Sequence, residues 1–377
     1  MKALIFTTHT GGGHDAAAEA IARALEEMGV VCKVMDCVAF AGEWVSKVVS
    51  GSYVKMVQHS PNSFGRMYHV SEMMSTPRMK SPVYMMNSAY AFRMAKEIRS
   101  FGADMIVCTH EFGGHSVTHL KRHGDYAGLL AMILTDYTVH PFMEDVQADV
   151  VCLSHRGLVK DCLDKCMPQS VLYPFGIPVS PACRPCTDKR AAKIAAGLDP
   201  EKKEVLMVGG SMGAGNLPGT ITAALAAMGE NAHLTVVCGS NEKIRQKCET
   251  LCTGDSRVTV CGRVSPLHPL MAAADVLLTK SGGLTTTEAM TVGTPMVIAH
   301  PIRGCETANA DFFEQRGLAA YARSMEEITD KLHQLLNDDA AREAMIAAQR
   351  REIDPDAARK LAACLVKLTG ERMASIE

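Results

Sequence analysis

Short apolar runs alternate with helical patterns along most of this chain. The runs that predict strands are residues 3–7, 31–35, 105–109, 129–134 and 150–153, then 205–208, 234–238, 258–260, 276–279 and 296–299. Each run is almost continuously apolar, which is typical of strands buried on both faces of a parallel sheet. The pattern predicts an α/β protein with doubly wound sheets, which bind ligands at the carboxyl ends of their strands.

A proline-rich stretch without periodicity, residues 173–185, divides the chain and is predicted to be an interdomain linker. A length of 377 residues also favours two domains. We therefore expect two Rossmann-like domains, 1–178 and 186–350, that face each other across a cleft. We also expect residues 351–377 to form a C-terminal helix that packs back on the first domain.

Residues from about 40 to 100 do not follow the alternation of strand-like and helical patterns seen in the rest of the chain. They contain Trp44, the only tryptophan, many methionines, and eight Lys or Arg between 41 and 100 against three Asp or Glu. A basic, aromatic insertion of this kind can lie on an anionic membrane surface or hold an apolar acceptor, with Lys47, Lys55 and Arg66 making the contact. A helical subdomain that packs its aromatic side chains inward explains the same composition.

The overall composition narrows the class of protein. A formal net charge of -2 provides no general attraction to nucleic acid. The 14 cysteines follow no disulfide-like spacing and no signal segment precedes them, so we expect reduced thiols in a cytoplasmic protein. No apolar run reaches the roughly 18 residues needed to span a bilayer, so any membrane contact is expected to be peripheral.

Glycine-rich turns follow several predicted strands. They lie at residues 7–15, 209–216, 262–264 and 280–290. A strand, a glycine turn and a helix N-terminus together present free N–H groups and a partial positive charge, which suit a phosphate. The turns match neither the dinucleotide-binding nor the P-loop spacing, so they favour a nucleotide diphosphate of another kind.

Four motifs occur in order along the chain. They are THTGGGH at 8–14, TDYTVHP at 135–141, KSGGLTTTEA at 280–289 and PIRGCETANA at 301–310. Together they resemble the monogalactosyldiacylglycerol synthase and processive diacylglycerol glucosyltransferase family. These are GT-B enzymes related to the peptidoglycan glycosyltransferase of lipid II synthesis. The resemblance implies an inverting transfer of a hexose from a UDP-sugar to a lipid hydroxyl, without a metal.

The resemblance also implies roles for particular residues. Glu288 would accept hydrogen bonds from the ribose, and Glu306 and Asn309 would contact the hexose. The remaining donor-binding residues, around the phosphates and the uracil, would be Gly12, Gly13, Gly210, Ser211, Gly262, Arg263, Val264, Lys280, Gly282, Gly283 and Thr285.

His14 and Asp136 would face the acceptor, and either side chain could remove its proton. We favour His14 as the base with Asp136 in support. Two alternatives stay open: His14 as an anion-binding residue at a helix N-terminus, and Asp136 as a helix N-cap.

The chain departs from the family pattern at three places. Ser281 stands where the family usually has proline, and Cys305 stands where a glutamine reads the sugar, so the choice between glucose and galactose is open. His110 to His115 replace a more apolar loop. Those residues resemble a zinc-protease motif with one residue too many, and Gly113 and Gly114 predict that no helix forms there.

The sequence therefore predicts a cytoplasmic hexosyltransferase at the inner face of the cell membrane. Its donor would be UDP-glucose or UDP-galactose and its acceptor diacylglycerol or a glycosyldiacylglycerol, with no cofactor, metal or nucleic acid. The alternatives are another lipid acceptor, a UDP-sugar epimerase or hydrolase, and a catalytically silent UDP-sugar sensor.

Overall fold

The computed structural model describes residues 1–9, 12–42, 61–76, 79–211, 213 and 215–375. The chain divides into two compact units. The first contains Met1–Ala182 together with Asp356–Glu377, and the second contains Cys183–Pro355. Each unit has a six-stranded parallel sheet with helices, so the predicted fold class of two doubly wound α/β domains is confirmed.

The sheet of the first unit has the strand order β2-β1-β3-β4-β5-β6. Its strands are β1 (Lys2–Thr7), β2 (Val31–Asp36), β3 (Met105–Cys108), β4 (Leu129–Ile133), β5 (Val150–Cys152) and β6 (Leu172–Tyr173). Its described helices are α1 (Gly12–Glu26), α2 (Pro61–Met74), α3 (Pro82–Ser88), α4 (Ala91–Phe101), α5 (Glu111–Arg122), α6 (Val159–Asp164) and the C-terminal α15 (Ala357–Ala374).

The sheet of the second unit has the order β12-β11-β10-β7-β8-β9. Its strands are β7 (Lys203–Val208), β8 (Ala232–Val237), β9 (Val258–Cys261), β10 (Val276–Thr279), β11 (Met296–Ala299) and β12 (Ala320–Ala322). Its helices are α7 (Lys189–Ala195), α8 (Leu217–Ala227), α9 (Glu242–Leu251), α10 (His268–Ala273), α11 (Gly283–Val292), α12 (Cys305–Gln315), α13 (Met325–Asn337) and α14 (Asp339–Glu352).

Burial on both faces explains why the strands are continuously apolar. In β1, Leu4 and Phe6 pack into a core cluster with α4 and α5, whereas Ala3 and Ile5 pack against α1 and α15 on the other face. All four side chains are fully buried. Alternate residues of a strand point to opposite faces, so both sets must be apolar when helices cover both sides.

Two short strands and one helix were missed by the sequence pattern. β6 and β12 have two and three residues, too few to give an apolar run, and Tyr173 of β6 lies inside the predicted linker. The prediction that Gly113 and Gly114 exclude a helix is wrong, because both lie in α5. A Cβ atom on Gly113 would be 3.1 Å from the side chains of Cys108 and Phe6, so the glycines allow α5 to approach the sheet closely.

The insertion forms helices that bury some aromatic side chains and leave many apolar side chains exposed. Tyr84 and Tyr90 are buried, together with Met94 of α4. The exposed large apolar side chains of this region are Met67, Val70, Met73, Met74, Met79, Met85, Met86 and Phe92, which is half of all those found among the described residues. None of the helices in the described part of the chain is both long and apolar enough to cross a bilayer.

Candidate active site

A small cavity in the first unit lies at the carboxyl ends of β3 and β4, beside the first turn of α1. Its lining residues are His14, Thr109, Glu111, Met132, Ile133, Leu134, Thr135, Asp136, Thr138, His140 and Met143. The parallel sheet therefore brings together His14 from the first motif and Asp136 from the second, which are more than a hundred residues apart in sequence.

His14 lies in the first turn of α1 and is oriented by the backbone. Its Nδ1 atom is 2.7 Å from the carbonyl oxygen of Thr109 and 3.1 Å from Oγ1 of Thr135. A ring nitrogen bound to a carbonyl oxygen carries the proton, which leaves Nε2 of a neutral imidazole as the nitrogen with a free lone pair. His14 is thus held in the tautomer that a general base requires.

Asp136 follows β4 and is held by two neighbours. Its Oδ2 atom lies 3.0 Å from Nε2 of His140, and its backbone carbonyl accepts a hydrogen bond of 2.7 Å from the Ser154 hydroxyl. The residues directly after Asp136 form no helix, so the alternative role of a helix N-cap does not apply. The carboxylate is directed at an imidazole in the cavity instead.

Glu111 joins the same network from the first turn of α5. Its Oε2 atom lies 3.8 Å from Nδ1 of His140 and 3.3 Å from Nδ1 of His110, the residue that caps α5. Burial alone would raise the pKa of Glu111, but the neighbouring imidazoles and its own backbone N–H outweigh burial and lower it. Glu111 is therefore ionised at neutral pH.

The N-terminus of α1 carries a second polar group. The side chain of Asp15 accepts a hydrogen bond of 2.8 Å from the Thr7 hydroxyl, and it lies 2.9 Å from Nδ1 of His9. The hydrogen bond that the protonated His9 ring donates to Asp15 raises the pKa of His9. Gly12 and Gly13, predicted to contact the donor, begin α1 beside these groups.

In the second unit, the N-terminus of α11 is open. Gly282 is the N-cap residue and forms no side-chain cap, so the N–H groups of the first turn, including those of Gly283 and Thr285, have no capping side chain. The side chain of Lys280 crosses Gly210, where a Cβ atom would be 2.6 Å from Lys280 Cε and where φ is +75°. Gly210 and the first residues of α11 therefore lie near Lys280, as expected for part of a phosphate site.

Ser281, Glu306 and Asn309 form a buried connection between the loop that precedes α11 and the first turns of α12. Ser281 Oγ donates a 2.5 Å hydrogen bond to the carbonyl oxygen of Glu306, and Asn309 Nδ2 donates a 2.9 Å bond to the carbonyl oxygen of Ser281. The Glu306 carboxylate pairs with Lys280 and accepts from the backbone N–H of Ile302. Asn309 and Ser281 are fully buried, so they fix the loops in place, and hexose contact by Asn309 stays a prediction.

Glu288 lies in the second turn of α11 and is mostly buried. Its backbone carbonyl accepts from the Cys183 thiol at 3.6 Å. Burial raises the pKa of its carboxyl group to about 7, because the charged form is poorly solvated there. A buried carboxyl with a perturbed pKa is typical of a binding site, which is consistent with the predicted ribose contact.

A second cavity, within the second unit, adjoins Lys280. Its lining residues are Met207, Val208, Gly209, Gly215, Asn216, Leu217, Thr220, Leu278, Thr279, Lys280, Ala299 and His300. Ser211 is exposed in the turn that follows β7. The turn after β9 holds the half-buried Gly262 and Val264 and the exposed Arg263.

Sequence reasoning assigned no role to Glu111, His140 or His300. His140 belongs to the second motif, whereas Glu111 was set aside with the zinc-like pattern, and only the tertiary contacts connect the two. Trp44, Lys47 and Lys55, predicted to contact the acceptor or the membrane, lie outside the described residues, and Arg66 is exposed on α2.

Two family models match the chain. A model described as monogalactosyldiacylglycerol (MGDG) synthase matches residues 14–179, and one described as glycosyl transferases group 1 matches residues 188–352. The chain is 29% identical to the chloroplastic monogalactosyldiacylglycerol synthase of Spinacia oleracea, over 99% of this chain and 73% of that protein. It spans only 63% of a probable enzyme of the same name from Glycine max.

A bacterial relative is similar over most of both chains. The processive diacylglycerol beta-glucosyltransferase of Bacillus cytotoxicus is 24% identical, over 90% of this chain and 86% of that protein. Among solved structures, Acinetobacter baumannii MurG matches with a TM-score of 0.63 and 17% identity, over 97% of this chain and 99% of that one. A putative UDP-N-acetylglucosamine 2-epimerase from Listeria monocytogenes matches with a TM-score of 0.65 and 13% identity, over 98% and 97%. Both structures show the fold alone.

Proposed function

We propose that this chain, whose two halves match the monogalactosyldiacylglycerol synthase and the glycosyl transferases group 1 models, transfers a hexose from a UDP-sugar to a hydroxyl of diacylglycerol or of a glycosyldiacylglycerol. The observation that carries this proposal is the fixed tautomer of His14. Its Nδ1 atom is 2.7 Å from the Thr109 carbonyl oxygen, so Nε2 is left to accept the proton of an acceptor hydroxyl.

The proposed step is a single displacement that inverts the anomeric carbon. The acceptor oxygen forms a bond to that carbon while the bond to the UDP oxygen breaks, and UDP leaves with the electron pair. The acceptor proton moves to His14 Nε2. Asp136 is less suited to this task because its Oδ2 atom is already engaged with His140 at 3.0 Å.

We further propose that the second unit binds the donor and stabilises the leaving UDP without a metal ion. The open N-terminus of α11 offers backbone N–H groups, and Lys280 offers a positive charge beside Gly210. Fixed N–H donors of this kind commonly stabilise developing charge by a few kcal/mol each. Full activity after dialysis against EDTA is the expected result, and loss of activity that Mg²⁺ or Mn²⁺ restores would refute this part.

The acceptor lipid is proposed to be reached through the exposed apolar side chains between Met67 and Phe92. Met73 and Met79 are 74% and 77% exposed, far more than large apolar side chains normally are. Together with the basic residues of the insertion, including Arg66, such a surface favours peripheral contact with an anionic membrane at its inner, cytoplasmic face.

The test is a transfer assay with labelled UDP-glucose, UDP-galactose and UDP-N-acetylglucosamine, each with vesicles that contain diacylglycerol. Label from one of the two hexose donors should enter the lipid fraction. Label that stays in the nucleotide sugar but changes its sugar would instead support the epimerase, whose fold is also similar. Release of free sugar without lipid product would support a hydrolase, and binding without any turnover would support a sensor.

A further inference from the structure

A buried carboxylate of the first unit has no part in the proposed displacement. Glu111 lines the same cavity as His14 and Asp136, and its side chain is only 14% exposed. A carboxylate removed from water to this extent needs partners for its negative charge. Two imidazoles, those of His110 and His140, lie within 4 Å of its Oε2 atom.

His110 is not the cationic partner. Its Nδ1 atom accepts a 3.3 Å hydrogen bond from the backbone N–H of Phe112, so this nitrogen carries no proton. Burial lowers the pKa of His110 to about 3 and keeps the ring neutral. The ring also packs edge-on against His14, with 4.8 Å between the ring centroids, so a neutral imidazole adjoins the proposed base.

His140 has a carboxylate at each of its ring nitrogens. Asp136 Oδ2 lies 3.0 Å from Nε2, on the loop that carries both residues. Glu111 Oε2 lies 3.8 Å from Nδ1 and comes from α5. An imidazole with a carboxylate at each nitrogen can use both of its N–H groups only when it is protonated, and both negative charges favour that form. His14, which lines the same cavity from α1, is the remaining ionisable side chain there.

We propose that Glu111 is a positioning residue that holds His140 as an imidazolium against Asp136. The proposal concerns the proton on His140, and its consequence for catalysis rests on the proposed function. With Asp136 and Glu111 negative and His140 positive, the side chains that line the cavity carry a net charge of about -1. Transfer of the acceptor proton to His14 brings this charge to zero. Glu111 therefore provides the excess negative charge that stabilises a protonated His14 in the transition state.

The protonation of His140 can be measured without any substrate. In the full-length protein labelled with ¹⁵N-histidine, the resonances of His140 are those lost in His140→Gln. At pH 7.5 both ring nitrogens should be protonated in the wild type, and Glu111→Gln should lose this form at a pH about one unit lower. A neutral His140 in the wild type, or identical titration in both proteins, would overturn the proposal whether or not the enzyme acts on diacylglycerol.

The pH dependence of turnover tests the catalytic consequence. In Glu111→Gln, kcat should fall roughly tenfold at pH 8, and the alkaline limb of its pH profile should move about one unit lower. KM for the UDP-sugar should not change. Glu111→Asp, whose carboxylate is drawn back by one methylene, should give an intermediate shift, and this variant decides the question if Glu111→Gln does not fold.

The matched control is Asp164→Asn, which removes an exposed carboxylate of the same unit that pairs with Lys160. Its pH profile should superimpose on that of the wild type. A simple packing role for Glu111 would instead lower activity equally at all pH values without a shift, and that outcome would contradict the proposal.

Discussion

Replacing Glu288 by glutamine should change stability in a way that depends on pH. Burial raises the carboxyl pKa from the 4.5 of a solvated glutamate to about 7 in the folded protein, whereas the unfolded chain keeps the lower value. Between these pH values the folded state binds a proton that the unfolded state has released. The free energy of unfolding therefore falls as pH rises through this window, because the unfolded state binds fewer protons.

The size of the effect follows from the shift. Each pKa unit corresponds to 1.36 kcal/mol, so a fully developed shift costs about 3 kcal/mol above pH 7, and partial exposure of the side chain reduces this to about 2 kcal/mol. Glu288→Gln lacks the titration. Relative to the wild type it should be more stable by about 2 kcal/mol at pH 8 and by much less at pH 5.

Urea denaturation of the ligand-free proteins at pH 5 and pH 8 measures this difference directly. Glu326→Gln is the control, since Glu326 is an exposed carboxylate of the same unit and its replacement should have the same small effect at both pH values. If Glu288→Gln and the wild type differ in free energy of unfolding by the same amount at pH 5 and pH 8, burial does not raise the pKa of Glu288, and the reasoning is refuted.

The ribose contact can be tested on the same variant. Ribose hydroxyls donate to an ionised carboxylate, so UDP binding to the wild type at pH 6 should release close to one proton. Calorimetry in buffers with different heats of ionisation counts that proton. Glu288→Gln should bind UDP more weakly and release none, and an unchanged UDP affinity would refute the ribose assignment.

Three further changes test other parts of the site. His14→Gln should lower kcat by about 10²- to 10⁴-fold with UDP affinity intact, and activity within tenfold of the wild type would point to another base. Gly210→Ala should weaken UDP binding about tenfold by displacing Lys280. Gly197→Ala, which meets the same positive φ but has no atom within 4 Å of the added methyl group, should not. Met73→Glu should reduce flotation with anionic vesicles about tenfold. The control is Met28→Glu, at an exposed methionine outside the insertion, and an equal loss in this variant would contradict a lipid-binding surface on the insertion.

The hydrophobic pattern was sufficient to predict ten of the twelve strands found in the described part of the chain, and the parallel α/β architecture. It succeeded because strands buried on both faces, such as β1, must be apolar throughout. It failed where tertiary packing outweighs local preference. β6 and β12 are held by neighbouring strands rather than by their own short sequences, and α5 tolerates Gly113 and Gly114 because the sheet leaves no room for a larger side chain.

The motifs alone placed His14, Asp136 and Lys280 just after the carboxyl ends of strands, because the first turn after each parallel strand is where these sheets bind ligands. Only the tertiary structure decided how those side chains are held. The tautomer of His14 depends on the Thr109 carbonyl, ninety-five residues away in sequence, and the raised pKa of Glu288 depends on burial that no local pattern reports. Glu111 and His140 meet Asp136 through contacts between α5 and the loop after β4. Sequence fixes which chemical groups are available, whereas their protonation and orientation depend on distances of a few ångströms across the fold.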